Sequence, residues 1–581
     1  MRILIFSMEF ADPIFSGNGV LARTYATELV KQHHTVDVIT SYPVSAWVDK
    51  AEVKTGWMSN DIASTDAATP PFRKKNDQQK PLYIALPVPE KKWRKLDWNG
   101  PHDYYAQGCL EYFQPSSQEK NAASTKDEVS KSSHLSVFEC VFNKARSVFY
   151  REEEDEPCTK HDNKTIDSIF IVDWHGFVAF EKIKSQWTGT NSKDFGTNQQ
   201  QQPKIIFLNF RVFANSILLP ETKSEEFMFY KKMETAAMES SHATVCLAET
   251  DKKMLLSMVS SSCDATSHPV FILPPALQPN LISRCSATWK SLPMSLNNFD
   301  AVKKDVDDPR KGTFLLCSCV RLDPTKNALK FVEIVEELVK RNNNNQKSNN
   351  GHFSLVKSKK YPQACVIPFL CGAAANVEYA NLVRNRLRQA CSIANGDIDD
   401  NNKVNCIIRE DFVTSDELVR YFQSSILNVH PCEYDAFGMT VSESAACGVL
   451  SITHGERGYD SKNYDASNTS VSTIFDKKNG GDKLHQPKEC WDSNVGACGL
   501  FDYQKSEIIL TDFRKPATEI ANAMEPLLLS LLERAVECAQ SNGQTSSLPD
   551  LDEWHQQARM TALSHTPETA TVKLIQMVNN L

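Results

Sequence analysis

No apolar run in this 581-residue chain approaches the roughly 18 residues that a membrane-crossing helix needs, so no transmembrane segment is expected. The start, MRILIFSMEF, is apolar but meets Glu9 and Asp12 almost at once, and reads as a strand rather than a secretory signal. Charge of one sign is scarce too. Sixty-four Lys and Arg stand against 72 Asp and Glu, a net charge of -8. That leaves no footprint for nucleic acid or an anionic membrane. The 17 cysteines include no C-x-x-C pair, which excludes paired zinc-ligand spacing. They lie in apolar segments such as Phe314-Leu315-Leu316-Cys317 and Cys365-Val366-Ile367, and read as reduced core thiols of a cytoplasmic protein. No repeat of 20 to 50 residues is evident. What is present is globular in type: 41% apolar and 23% charged residues, at a length that suits two large domains.

The most informative stretch is NVHPCEYDAFGMTVSESAACGVLSI, residues 428–452. Ile426 to Val429 is a short apolar strand that Pro431 ends. Gly438 allows close backbone approach, Met439 to Cys447 has helical spacing, and Gly448 ends that helix before a strand resumes at Val449. Such a βαβ unit places its loop at the carboxyl end of a parallel strand, where α/β sheets bind ligands. Asp435 and Glu443 flank the expected helix start, and two carboxylates beside exposed amides suit a polyol such as a sugar or a ribose. In isolation the pair also reads as a solvated helix face.

Three further phrases fit the same pattern of strand, loop and helix. Gly17-Asn18-Gly19 follows the strand Arg2 to Ser7 and precedes a helix from Val20 to Gln32; position 22 is Ala, so the phrase is not a dinucleotide fingerprint. Asp173-Trp174-His175-Gly176 ends the strand Ile166 to Val172, with a helix from about Phe177. Arg321-Leu322-Asp323-Pro324-Thr325-Lys326-Asn327 follows the strand Gly312 to Ser318. There a planar guanidinium and a point charge can meet a diphosphate, although two surface cations would read the same way. The acid run Glu152 to Glu156 reads as a solvated loop and not a metal site. Polar segments at 114–131, 188–202 and 340–351 read as surface insertions. Residues 278–308 read as a linker, and helices are expected at 136–149, 517–540, 553–563 and 568–578.

The phrase D-A-F-G-M-T-V-S-E-S-A-A-C-G resembles the donor-binding motif of family 4 (group 1) retaining glycosyltransferases, with Asp435 where that family has Glu. R-L-x-P-x-K-N resembles the same family's phosphate-binding phrase, with Val320 where a Gly usually precedes. The resemblance implies a GT-B fold: two Rossmann-like domains (about 1–290 and 291–552) facing a cleft, with residues 553–581 crossing back to the first. It implies that Arg321 and Lys326 hold the leaving diphosphate, Asp435 the sugar hydroxyls and Glu443 the ribose. It places Phe437, Gly438 and Met439 at the donor, Gly17 and Gly19 at the diphosphate and acceptor, and Gly372 and the Phe412-Val413 loop at the base. His175 matches a sugar-binding His of the first domain. The implied reaction moves a sugar from a UDP- or GDP-type donor to an acceptor hydroxyl with retention. No metal or other cofactor is implied, and no D-x-D-type metal site stands in a plausible place. The alternatives are a catalytically silent GT-B protein that binds a sugar nucleotide or a partner, and another two-Rossmann enzyme, an epimerase or an oxidoreductase. The sugar, the acceptor and the oligomeric state are open.

Overall fold

The computed structural model describes residues 1–10, 17–44, 54–57, 81–89, 102–113, 166–188, 203–215, 219, 224–259, 268–287, 312–344, 353–392, 405–410, 413–457, 491–501, 507–540 and 549–581. The expected helix at 136–149, the insertion at 114–131, most of that at 188–202, the acid run and Phe412 lie outside them. The chain forms two compact units. The first holds Met1–Leu247, Asp251–Leu273 and Pro567–Leu581, and the second Ala248–Thr250 and Pro274–Thr566.

The first unit is an eight-stranded sheet. Its strands are β1 (Arg2–Glu9), β2 (Thr35–Val44), β3 (Lys54–Trp57), β4 (Leu82–Pro89), β5 (Ser168–Val172), β6 (Lys204–Asn209), β7 (Ala243–Cys246) and β8 (Val270–Ile272). They run in the order β3-β4-β2-β1-β5-β6-β7-β8. All pairs are parallel except β3 with β4. Ile3 to Phe6 is buried throughout, as a parallel strand covered on both faces requires. The helices are α1 (Gly17–Lys31), α2 (His102–Phe113), α3 (Asp173–Thr188), α4 (Ser224–Glu239) and α5 (Glu249–Val259), of which α5 begins in the second unit's segment. Phe6 meets Phe180 of α3 edge-on at 5.8 Å. Gly176 explains how close α3 lies to β1, because a Cβ there would stand 2.7 Å from the Phe6 carbonyl oxygen.

The second unit begins with α6 (Pro279–Ala287), inside the stretch expected to be linker. The expected boundary near 290 therefore falls beyond an ordered helix of this unit. Its sheet holds β9 (Thr313–Cys319), β10 (Cys365–Cys371), β11 (Ile407–Arg409), β12 (Ser425–His430), β13 (Ser451–His454) and, after the short pair β14 (Glu456–Arg457) and β15 (Trp491–Asp492), β16 (Ile509–Thr511). The order is β11-β10-β9-β12-β13-β16, parallel throughout. Its helices are α7 (Ala328–Asn344), α8 (Val377–Ser392), α9 (Ser415–Gln423), α10 (Met439–Ala446), α11 (Ala517–Gln540) and α12 (Pro549–Ser564). The final helix, α13 (Pro567–Asn579), belongs to the first unit and packs on α1, where Gln32 Nε2 donates to Thr571 Oγ1 at 2.5 Å.

The asparagine-rich stretch departs from its reading as surface loop. α7 runs on to Asn344, and the buried Asn342 donates from Nδ2 to the Ser354 carbonyl at 2.6 Å. Among the described residues no helix is long and apolar enough to cross a membrane, and the described cysteines are free thiols.

Candidate functional site

The C-terminal ends of β9 and β12, neighbouring parallel strands of the second unit, carry the candidate site. After β9 the chain passes Val320 and Arg321 and enters a 3-10 turn, Pro324–Lys326, capped by Asp323. Asp323 Oδ1 accepts from the Thr325 amide at 2.9 Å. Its other oxygen lies 2.5 Å from Arg321 Nε. Burial works to raise the Asp323 pKa, but the Arg321 charge and the Thr325 and Arg321 hydrogen bonds hold it below the usual range. Asn327, in the left-handed region at φ 53°, redirects the chain into α7. Gly372, at the end of β10, sits against this loop, and a Cβ there would stand 1.8 Å from the Val320 carbonyl oxygen. Leu322 N donates to Ala373 O at 2.9 Å.

After β12, His430 is followed by Pro431, Cys432 and the turn to Asp435. Lys326 Nζ lies 2.8 Å from Asp435 Oδ2, which joins the two loops. His430 Nε2 lies 3.2 Å from the same oxygen, at ion-pair distance but off the line of a good hydrogen bond. Burial opposes ionisation of both groups. For Asp435 the Lys326 and His430 charges outweigh it and hold the pKa well below the usual carboxylate range. For His430 the facing Cys432 and Asp435 outweigh it and push the ring up to about 9.

The backbone around Asp435 is fixed by the segment Asn494 to Ala497, which follows β15. Asp435 N donates to Asn494 O at 3.2 Å, Gly496 N to Asp435 O at 3.0 Å, and Ala497 N to Phe437 O at 2.7 Å. Gly496 is required there, since a Cβ would fall 2.1 Å from the Ala436 carbonyl oxygen. Gly438 caps α10 in the left-handed region at φ 84°. Phe437 is buried, whereas Met439, Thr440 and Glu443 form the half-buried face of α10. The Glu443 carboxylate makes no hydrogen bond or ion pair among the described residues, and burial pushes it up to about 7. The small residues after it have a packing reason. Asn428 Nδ2 of β12 donates to Ser444 Oγ at 3.3 Å and to Ser451 Oγ at 2.9 Å, tying α10 to β12 and β13. Val413 lies before the Thr414 cap of α9, on the loop after β11, two strands from β9.

In the first unit the structure gathers a second group, at the ends of β1 and β5. The helix α3 opens at Asp173, four residues before the expected start near Phe177, because Asp173 turns the chain at φ 53°. Its Oδ1 accepts from the Phe210 amide at 2.8 Å and its Oδ2 from Asn18 Nδ2 at 2.5 Å. Gly17, Asn18 and Gly19 likewise form the first turn of α1 rather than a loop before it. His175 therefore sits in the first turn of α3, buried, stacked on Trp174 at 3.8 Å between ring centroids and meeting the edge of Phe213 at 5.7 Å. Burial pushes Asp173 up to about 8 and Glu234, which holds the Phe213 and Ala214 amides, up to about 7.

No family model matches the chain, and no curated protein matches it by sequence. Solved structures do match. Sucrose-phosphate synthase from Thermosynechococcus elongatus is 12% identical, with 100% of this chain and 98% of that one covered at a TM-score of 0.51. An α,α-trehalose-phosphate synthase (UDP-forming) from Burkholderia xenovorans in complex with glucose-6-phosphate is 10% identical, with 100% and 99% covered at 0.53. A structure described as trehalose-6-phosphate from E. coli bound with UDP-2-fluoro glucose is 12% identical, with 100% and 99% covered at 0.52. The chain has the GT-B fold of these proteins, two Rossmann-like parallel-sheet units. The descriptions name sucrose-phosphate synthase and trehalose-phosphate synthase, and the likeness to family 4 rests on the motifs.

Proposed function

We infer that this chain is a retaining glycosyltransferase that moves a hexosyl group from a nucleoside diphosphate sugar, UDP- or GDP-linked, to an acceptor hydroxyl without a metal. The observation that carries this reading is the Lys326–Asp435 contact of 2.8 Å beside the Gly438-capped start of α10. It joins a cation, a carboxylate and a positive helix end at the carboxyl ends of two neighbouring strands. These are the groups that a metal-free departure of a diphosphate requires. Arg321 Nε is engaged by Asp323, and the Arg321 side chain is 44% exposed, which suits a phosphate contact through the remaining nitrogens.

In the proposed step the bond from the anomeric carbon to the diphosphate oxygen breaks. The acceptor oxygen bonds to that carbon on the same face, and its proton passes to the departing diphosphate. Arg321, Lys326 and the α10 amides hold the developing negative charge. Asp435, oriented by Lys326, accepts from sugar hydroxyls. Glu443, on the half-buried face of α10, accepts from the ribose. The roles of His175, Gly17, Gly19, Gly372 and Val413 rest on the resemblance to family 4.

Of the structures named above, one is bound with UDP-2-fluoro glucose and another is in complex with glucose-6-phosphate, so UDP-glucose with glucose 6-phosphate is the first pair to test. Proton NMR of the product formed in EDTA reads both transfer and the anomeric configuration. An α-linked product from an α-linked donor supports the reading. A β-linked product, or turnover that stops in EDTA, contradicts it.

A further inference from the structure

Asp435 has a second set of neighbours that the proposed reaction does not use. His430 Nε2, Cys432 Sγ and an Asp435 carboxylate oxygen all lie within 4.8 Å of one another. The His430 side chain is 3% exposed, and its Nε2 points at this cluster without a hydrogen-bond partner. Cys432 is fully buried, and its sulfur reaches the Lys326 carbonyl oxygen at 3.5 Å. One imidazole, one thiol and one carboxylate are the donor types of a three-ligand zinc site with an open fourth position. Zinc holds such donors at about 2.0–2.3 Å, which in tetrahedral geometry sets them roughly 3.3–3.8 Å apart. The His430–Asp435 separation is already 3.2 Å. Asp435 is 20% exposed and gives an ion a way in.

We propose that His430, Cys432 and Asp435 form a site for a thiophilic divalent cation, zinc above all, which displaces Lys326 from Asp435 and switches the donor site off. The cation takes the place of the Lys326 ammonium as the counter-charge of Asp435. Cys432 binds as thiolate and His430 through neutral Nε2, and both the thiol proton and the proton that the ring carries beside Asp435 leave to solvent. Hard cations such as Mg2+ do not compete, because two of the three donors are sulfur and nitrogen. The inhibitory half of this inference rests on the glycosyl-transfer reading. The binding half does not.

The test uses the full reduced chain stripped with EDTA and titrated with Co2+ as a spectroscopic stand-in for zinc. A thiolate-to-cobalt band in the near ultraviolet, saturating at one equivalent and erased by Zn2+, is the expected result. Cys432→Ser removes the band. Asp435→Asn, which keeps the thiol, weakens Co2+ binding by more than the ~10–100-fold that losing an outer partner of a metal ligand costs. Absence of the band, or its survival in a folded Cys432→Ser variant, overturns the site. If Cys432→Ser does not fold, unchanged Co2+ affinity in Asp435→Asn overturns it instead. Where nucleotide release from a donor is measurable, micromolar Zn2+ stops it, Mg2+ does not, and EDTA restores it. Zn2+ that binds without inhibiting overturns the switch. A chain that releases no nucleotide from any donor sinks the functional reading and leaves the cobalt titration to decide the site.

Discussion

Lys326 and Asp435, 109 positions apart in sequence, meet at 2.8 Å between the loops that leave β9 and β12. Each is the other's principal counter-charge, and His430 adds a second cation from behind. Lys326→Ala should therefore act twice. Losing one preorganised cation at a departing diphosphate lowers kcat/KM about 100- to 1,000-fold. It also leaves Asp435 with His430 alone and lowers Tm. The Lys326→Ala/Asp435→Asn double variant should recover most of the Tm and none of the rate. Melting curves and initial rates on the four proteins of this cycle check it.

Asp435→Glu probes the departure from the family 4 phrase. The extra methylene drives the carboxylate into Lys326 and His430, which already lie within 3.2 Å, so the rate should fall or hold rather than rise. A large gain in rate would mean that Asp435 is too short for its sugar and favour the silent reading of the native chain.

Glu443 predicts a pH dependence. Its folded pKa is raised to about 7 by burial, so between the usual carboxylate range and about 7 the native state binds more protons than the unfolded one. Stability from this group is fully present below the usual carboxylate range and is lost as pH rises through about 7. A carboxylate that accepts from ribose hydroxyls must be ionised, so donor affinity should move the opposite way and rise through the same window. Glu443→Gln should flatten both trends, as read by chemical denaturation and donor titration across pH 5 to 8.

Gly438→Ala tests the cap of α10. A side chain at φ 84° costs roughly 1–2 kcal/mol, and its Cβ would stand 3.2 Å from His430 Nε2 and 3.3 Å from Val495 Cγ1. The variant should lose Tm and lose donor affinity more than that strain alone accounts for, because the amides of α10 shift with the cap.

Asn342 separates the ordered and insertion-like parts of the asparagine run. Asn342→Ala removes the buried donor to Ser354 O, which should lower stability by about 1–3 kcal/mol. Deleting residues 345–350 should leave Tm and rate nearly unchanged, since closure entropy grows only slowly with the length of a connection.

The sheets were legible because β1, β5, β9 and β12 are short apolar runs that parallel burial demands. The loop-to-helix phrases at 321–327 and 435–447 were legible because Pro324, Gly438 and Gly448 punctuate them. Asp173 was harder. An aspartate in the left-handed region starts α3 four residues before the apolar pattern does, and its anchors, Asn18 and Phe210, are 155 and 37 residues away. The segment 494–497 carries no local sign that its backbone will fix Asp435. Only Gly496 hints at a close approach, and its neighbour Ala436 is distant in sequence. His430 and Cys432 drew no reading of their own, because their convergence on Asp435 depends on the turn at Pro431. The asparagines of 342–344 read as loop by composition, while the apolar stripe of α7 carries the helix through them.

The most direct measurement is thermal shift of the purified chain against UDP-, GDP- and ADP-sugars in EDTA, beside the Arg321→Ala/Lys326→Ala double variant. The account predicts stabilisation by one nucleotide family, slow release of that nucleotide, and loss of both in the variant. No stabilisation by any donor, or stabilisation that the variant keeps, would contradict it.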